Sequence, residues 1–120
     1  MARYEPLDRL VADFSEGRQG VTALTFLGIA SLVYKGREEF GLSDVYNAVK
    51  DILSKLRSRP SVLDKEVTVM SISSPLGRLS DMGVIKKISE NPATYRITID
   101  KETVYRYAGE LMLILIEKVF

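Results

Sequence analysis

Apolar residues recur every three or four positions in three successive stretches of this sequence, which is the spacing of one face of an α-helix. The first predicted helix covers Pro6–Ser15 and has one apolar stripe. The second, Thr22–Tyr34, is apolar nearly all round, so we expect it to pack on several sides at the centre of the core. The third, Asp44–Arg57, follows Ser43, whose hydroxyl suits an N-cap.

A fourth helical pattern covers Thr68–Met82, with Thr68 as its N-cap and Gly83 as the residue that ends it. Pro75 lies inside this stretch and removes one hydrogen bond from the helix. The helix is therefore either kinked at Pro75 or begins late with Ser74 as its cap, and the sequence leaves both alternatives open.

Two stretches rich in β-branched residues, Val84–Ser89 and Thr94–Ile99, flank a turn sequence and predict an antiparallel hairpin. The connector Glu38–Leu42 has room for one short strand. Asp100 is placed to cap a last helix, Lys101–Val119. The predicted fold class is α+β, mainly α with a small antiparallel β-hairpin, and the length of the chain suits a single domain.

The 120 residues include neither cysteine nor histidine. The lack of cysteine excludes disulfides and thiolate metal sites, and the lack of histidine removes the commonest general base and metal ligand. Glu38 and Glu39 form only a local acidic pair, so the sequence predicts no enzyme, no metal site and no cofactor. Glutamine and asparagine are scarce, which is a tendency of thermophilic proteins.

The first fifteen residues carry acidic side chains and have no apolar centre, so they do not predict a secretion signal. The longest apolar stretch, Val21–Tyr34, is 14 residues long, which is too short to span a bilayer. These observations predict a cytoplasmic protein that does not act in a membrane.

Charge is uneven along the chain, although the formal net charge is only +1. Residues 55–87 contain seven basic side chains and three acidic ones. Such a concentration can be an electrostatic footprint for the phosphates of a nucleic acid. It can equally be an ordinary solvated surface, and charge alone does not distinguish the two.

The stretch Leu76–Lys87 has the most specific pattern, with leucines three apart, then a glycine, two aliphatic residues and two lysines. The leucines would fix a helix on the core, the glycine would end it in left-handed geometry, and the aliphatic residues would seat a strand. This order resembles the end of the recognition helix and the first wing strand of winged helix-turn-helix domains. Together with Leu42–Tyr46, it is similar to the C-terminal winged-helix domain of archaeal replication initiators and to stand-alone archaeal winged-helix regulators.

The resemblance implies a winged-helix core over residues 22–99, a helical extension over 1–20 and an additional helix over 100–120. It also implies that the helix 68–82 enters the major groove of double-stranded DNA while the hairpin flanks the backbone. The polar and basic side chains expected to contact DNA are Ser71, Ser73, Ser74, Arg78, Lys86, Lys87, Arg96 and Lys65. The implied function is that of a transcription regulator or of a replication- or chromosome-associated factor. The chain has no phosphate-cradling glycine-rich motif of an attached ATPase.

Two alternatives stay open from the sequence. A winged helix can serve as a protein-interaction module in a larger assembly without binding DNA, because a fold alone does not fix function. Arg78 and the serines can equally be ordinary solvated surface, and Asp81 on the same helix would repel phosphate.

The last predicted helix contains six apolar residues in a row, Leu111–Ile116. A helix packed against one domain needs an apolar stripe of only about 100°, so some of these side chains would face water. The sequence therefore predicts a homodimer, since two-fold dimers are the commonest oligomers. The residues expected at its interface are Leu111, Leu113, Ile114, Leu115 and Phe120. The alternative is a helix buried on both sides within a monomer.

Overall fold

The centre of the core is helix α2, Gly20–Tyr34, in a computed structural model that describes residues 3–56 and 67–118. Twelve of its fifteen residues are buried. The burial arises because, within the described residues, four other helices pack around α2. The expectation that this apolar helix lies at the middle of the core is confirmed.

Helix α3, Leu42–Ser54, approaches α2 closely at Gly28. A Cβ atom on Gly28 would lie 2.8 Å from Cγ2 of Val49 and 3.2 Å from the carbonyl oxygen of Val45. A larger side chain at position 28 would therefore force these two helices apart.

The start of α3 differs from the prediction, and Ser43 is not its N-cap. Gly41 occupies the cap position, and its backbone N–H donates a 2.8 Å hydrogen bond to Oδ2 of Asp44. The carboxylate of Asp44 thus accepts from the N–H of the cap residue, as the acidic third residue of a capping box does. Ser43 is exposed in the first turn of the helix. The helix ends at Ser54, earlier than the predicted end at Arg57, and Arg57 itself lies outside the described residues.

Helix α4, Ser73–Asp81, follows a 3₁₀ turn at Met70–Ile72. The prediction that Thr68 caps a long helix is wrong, because α4 begins only at Ser73. The hydroxyl of Thr68 instead accepts a 3.3 Å hydrogen bond from the N–H of Ser71, in the turn before α4. Pro75 is the third residue of α4, where a backbone N–H would have no acceptor within the helix. The late start is therefore the correct alternative, although Ser74 lies inside the helix and is not its cap.

Gly83 ends α4 as the sequence predicts. Its φ angle is +78°, and the N–H of Val84 donates a 3.0 Å hydrogen bond back to the carbonyl of Leu79. The hydroxyl of Tyr4 donates to the carbonyl of Met82 at 2.7 Å. The end of α4 is thus fixed both by its own backbone and by the segment that precedes the first helix.

The strands β1, Glu39–Gly41, β2, Ile85–Glu90, and β3, Ala93–Ile97, form one antiparallel sheet in the order β1-β3-β2. The predicted hairpin and the predicted short strand are both confirmed. A cis peptide bond joins Asn91 to Pro92 in the hairpin turn.

Helices α1, Glu5–Ser15, and α5, Lys101–Lys118, pack against each other and against α2. The hydroxyl of the buried Tyr107 in α5 donates a 2.7 Å hydrogen bond to Oδ1 of Asp8 in α1. The same hydroxyl accepts a hydrogen bond from the N–H of Tyr4. One buried phenol therefore joins α5, α1 and the segment that holds the end of α4.

The inner face of α5 corrects part of the predicted dimer interface. Leu111 and Leu115 are completely buried in the core of their own chain, so they cannot contact a second subunit. Ile114 is half-buried and packs on that core, whereas Leu113 is exposed. Phe120 lies outside the described residues.

The architecture is mainly helical with a small three-stranded antiparallel sheet, which is the α+β class that the sequence predicts. Among the helices of residues 3–56 and 67–118, none combines the length and the apolar character needed to cross a membrane.

Candidate nucleic-acid interface

The outward face of α4 consists of small and polar residues around Arg78. Pro75, Leu76 and Leu79 are buried and hold α4 on the core. The exposed residues of the helix lie on the other side: Ser73, Ser74, Gly77, Arg78 and Asp81. A Cβ atom on Gly77 would meet nothing within 4 Å. Another molecule can therefore approach the backbone of α4 closely, beside a guanidinium and two hydroxyls.

Ser71 lies in the turn before α4 and is half-buried. Its side-chain oxygen is 2.9 Å from the hydroxyl of Thr68 and accepts a 3.1 Å hydrogen bond from the N–H of Thr68. Of the serines predicted to bind DNA, Ser73 and Ser74 thus share the exposed face of α4, and Ser71 stands at its edge.

A cleft of about 300 Å³ lies between the start of α2 and the start of α4. Ser71, Ser74 and Arg78 line one side of it, and Gln19 with the first residues of α2 lines the other. The side chain of Gln19 makes no hydrogen bond to the start of α2, and the first N–H groups of a helix have no acceptor within it. Hydroxyls, a guanidinium and the start of a helix all bind phosphate oxygens in proteins that contact DNA.

Arg78 is held in place by a residue of the connection between α1 and α2. Its Nη1 donates a 3.1 Å hydrogen bond to Oε1 of Gln19, and Nε2 of Gln19 reaches Oδ2 of Asp13 at 3.5 Å. Arg18 donates to the other oxygen of Asp13 at 2.8 Å. This hydrogen bond from Arg18 holds the pKa of Asp13 below its usual value. The guanidinium of Arg78 is therefore oriented before any ligand arrives.

A second cleft, of about 550 Å³, lies between α1 and the later part of α4. Its lining mixes carboxylates with guanidiniums: Glu5, Asp13 and Asp81 with Arg9 and Arg78. The mixture of signs gives this cleft no preference for phosphate, so the first cleft is the better match to the backbone of DNA.

The predicted basic residues of the hairpin divide between the two faces of the sheet. Lys86 lies directly opposite Arg96 in the register of β2 and β3, and Arg96 lies opposite Glu39 of β1. Arg96 forms an ion pair with Glu39. The hydrogen bond to Glu39 raises the pKa of the Arg96 guanidinium. The next residue, Lys87, lies opposite Tyr95 on the other face and pairs with Glu90 at 3.4 Å.

The three basic residues of the hairpin are thus all exposed. Two of them, Lys87 and Arg96, already form ion pairs with carboxylates of the same chain. Lys86 is exposed beside Arg96, and it has the clearest access to a phosphate. Lys65 lies outside the described residues.

Two residues that shape this surface were missed from the sequence. Gln19 precedes α4 by more than fifty positions, and nothing in its local sequence indicates that it meets Arg78. Glu39 was considered only as a candidate acid, because its pairing with Arg96 depends on the register of β1 against β3. Within the part of the chain that the structure describes, no three acidic residues are grouped closely enough to hold a metal ion.

Comparison with protein-family models, with curated proteins and with solved structures found no match to this chain.

Proposed function

We propose that this protein binds double-stranded DNA as a winged helix-turn-helix domain. In this proposal α4 is the recognition helix and enters the major groove, and the β2–β3 hairpin is the wing that lies along the backbone. The cellular role is that of a transcription regulator or of a replication- or chromosome-associated factor.

The order of elements supports the proposal. The chain runs through α2, β1, α3 and α4 before the hairpin of β2 and β3, which is the succession of helices and hairpin that the sequence resemblance implies. Gly83 turns the chain from α4 directly into the hairpin, so both expected contact elements are joined by a few residues.

The observation that carries the proposal is the composition of the exposed face of α4. A helix that enters the major groove needs small residues for close approach and donors that reach base edges or phosphates. Ser73, Ser74 and Gly77 supply the first property, and Arg78 supplies the second. An arginine with two donors toward guanine is the commonest specific contact to a base.

Asp81 on the same helix limits how α4 can lie on DNA. A carboxylate repels phosphates but accepts a hydrogen bond from the amino group of cytosine. We therefore expect Asp81 to face base edges like Arg78, and Ser74 to lie nearer the DNA backbone, beside the cleft at the start of α2.

Fluorescence anisotropy with a labelled mixed-sequence duplex of about two helical turns tests the proposal. The Arg78→Ala variant should bind about 1–3 kcal/mol more weakly than the wild type if the arginine contacts a base. Lys101→Ala is the matched control, because it removes the same charge from an exposed position at the start of α5 and should leave affinity unchanged.

The rival function is a protein-interaction module that does not use DNA. It predicts no duplex binding even at low salt, or equal loss of affinity in the Arg78→Ala and Lys101→Ala variants. Either result would remove α4 as a DNA-contacting element.

A further inference from the structure

The cleft between α1 and the later part of α4 has the size and the mixed lining of a small-molecule site. Its volume is about 550 Å³, and pockets that hold small molecules in proteins measure about 300–1,000 Å³. Pro6, Leu10 and Met82 form its apolar part, and charged side chains of both signs line the rest. We call it the α1–α4 cleft.

Three of the five charged side chains that line the α1–α4 cleft already have a charged partner. Arg9 pairs with Glu5 at 3.3 Å, one turn away in α1. Asp13 pairs at 2.8 Å with Arg18, which does not belong to the lining. These three charges are therefore compensated within the chain itself.

The other two charged side chains of the cleft, Arg78 and Asp81, lie three residues apart on α4. Side chains at this spacing are neighbours on a helix and often pair when their charges are opposite. In the part of the chain that the structure describes, neither has a charged partner, and Arg78 donates instead to the uncharged Gln19 at 3.1 Å. One positive and one negative group thus border the cleft side by side without neutralising each other.

We propose that the α1–α4 cleft binds a small zwitterion with an apolar side chain, which is the chemistry of an α-amino acid such as leucine. The carboxylate of the ligand accepts hydrogen bonds from the guanidinium of Arg78, and its ammonium group donates to the carboxylate of Asp81. An α-amino acid carries both charged groups on one carbon atom, so the two reach neighbouring side chains at the same time. The apolar side chain then covers Leu10 and Met82.

A ligand with a single charge fits this lining less well. An anion that pairs with Arg78 lies beside the carboxylate of Asp81, and a cation that pairs with Asp81 lies beside the guanidinium of Arg78. Like charges placed next to each other oppose binding. A zwitterion pairs with both groups and adds no net charge to the cleft.

The exposure of the two charged groups sets the strength of binding. Arg78 and Asp81 are both exposed, and ion pairs in contact with water are weak. Most of the selectivity for a zwitterion therefore comes from two weak pairs and one apolar contact acting together. We expect a dissociation constant on the order of 1 mM.

An occupied α1–α4 cleft also opposes DNA binding, a consequence that rests on the proposed function. Arg78 and Asp81 are the two residues of α4 that are expected to face base edges, so a ligand that holds them competes with the duplex. Linkage requires that each ligand weakens the binding of the other by the same factor. The cleft would then be the site at which a small molecule releases the protein from DNA.

Amide NMR spectra of the isotope-labelled full chain, titrated without DNA with L-leucine to about 20 mM, test the site by itself. The amide signals of α1 and α4 around the cleft should shift and approach saturation. Asp81→Asn should raise the dissociation constant about threefold or more, because it removes one of the two pairs. Asp51→Asn is the matched control, since it makes the same exchange at an exposed position of α3 and should bind like the wild type.

Three analogues of the probe test the class of ligand. Isocaproate lacks the ammonium group, isoamylamine lacks the carboxylate, and glycine lacks the apolar side chain. Each should bind about threefold or more weakly than L-leucine. An equal affinity for isocaproate would show that Asp81 does not hold an ammonium group, and it would overturn the proposal of a zwitterion site.

Two further results would overturn the site. An absence of saturable shifts around the cleft would show that L-leucine does not bind there, whatever the protein does with DNA. Equal dissociation constants for L-leucine in the wild type and in a folded Asp81→Asn variant would remove Asp81 from the site.

Fluorescence anisotropy with a labelled duplex tests the competition separately. At ten times its dissociation constant, L-leucine should weaken duplex binding by the wild type about tenfold, whereas isocaproate at matched salt should have a smaller effect. Unchanged duplex affinity beside intact NMR shifts would overturn the competition. NMR shifts around the cleft without any duplex binding at low salt would support the amino-acid site and contradict the proposed function.

Discussion

Arg78 in α4 and Gln19 in the α1–α2 connection are 59 residues apart in sequence, and a 3.1 Å hydrogen bond joins them at the edge of the candidate DNA-binding cleft. Gln19 has a φ angle of 58°, in the left-handed region that costs a residue with a side chain roughly 1–2 kcal/mol. The residue at position 19 therefore orients the guanidinium at some cost in stability, a combination typical of functional positions.

Replacing Gln19 with glycine should separate these two effects. Gln19→Gly relieves the left-handed strain, so the melting temperature should rise. The same change releases Arg78 to rotate freely, and immobilising such a side chain on binding costs about 0.5–1.5 kcal/mol, so affinity for duplex DNA should fall about threefold or more. Calorimetry and anisotropy on one preparation measure both quantities. A variant with a higher melting temperature and unchanged affinity would show that Gln19 does not position Arg78.

Replacing Gly83 and Gly77 with alanine should change the stability of the protein in opposite directions. Gly83→Ala should destabilise the protein by more than about 1 kcal/mol, because the site has a φ of +78° and the new Cβ would lie 2.8 Å from the Tyr4 hydroxyl. Gly77→Ala should stabilise it by up to about 1 kcal/mol, since the site lies within α4 in open space. Urea unfolding of both variants checks this prediction, and a stable Gly83→Ala protein would contradict the described end of α4.

Glu39 should weaken the binding of the hairpin to DNA. Its ion pair with Arg96 competes with any phosphate for the guanidinium. Glu39→Gln should raise affinity for duplex DNA and increase the salt slope by up to about one unit. Glu117→Gln makes the same charge change at an exposed position of α5, so its slope should match that of the wild type. Equal slopes in all three proteins would show that Arg96 stays away from DNA.

Stability should be insensitive to pH near neutrality and fall in acid. No histidine or cysteine is present to titrate between about pH 5 and 8. Asp8 has a lowered pKa, caused first by the hydrogen bond from Tyr107 and then by Arg3. A carboxyl group whose pKa is lowered by folding stabilises the folded protein at pH values above its pKa in the unfolded chain, about 3.9. This stabilisation is lost as the pH falls through the pKa of the folded state. Thermal melts should show this loss below about pH 4, and Asp8→Asn should reduce it. An acid transition of unchanged size in Asp8→Asn would assign it to other carboxylates.

The sequence predicted the helices and the hairpin because each depends on local signals. The uniformly apolar α2 and the glycine at position 83 are such signals, and both were interpreted correctly. The start of α4 was predicted incorrectly. Thr68 has the side chain of a helix cap, but its hydroxyl hydrogen-bonds to Ser71 in the turn before α4.

The surface contacts could not be predicted from the sequence, because they join side chains that are far apart along the chain. The partner of Arg78 comes from another helix connection, and the partner of Arg96 comes from a strand of three residues. In α5 the run of apolar residues indicated two apolar faces, but only packing against α1 and α2 determined that Leu111 and Leu115 face inward while Leu113 faces outward.

The salt dependence of duplex binding tests the central claim most directly, because phosphate contacts release counterions in proportion to their number. Between about 50 and 200 mM salt, the wild type should lose affinity along a straight log–log line. Replacing Lys86, Lys87 and Arg96 together with glutamine should reduce its slope by about one to two units rather than three, because Lys87 and Arg96 already hold carboxylates. The same exchange at Lys35, Lys50 and Lys101, three exposed residues that belong neither to α4 nor to the hairpin, should preserve the slope. No duplex binding at the lowest salt, or an identical loss of slope in the two triple variants, would contradict DNA binding by α4 and the hairpin.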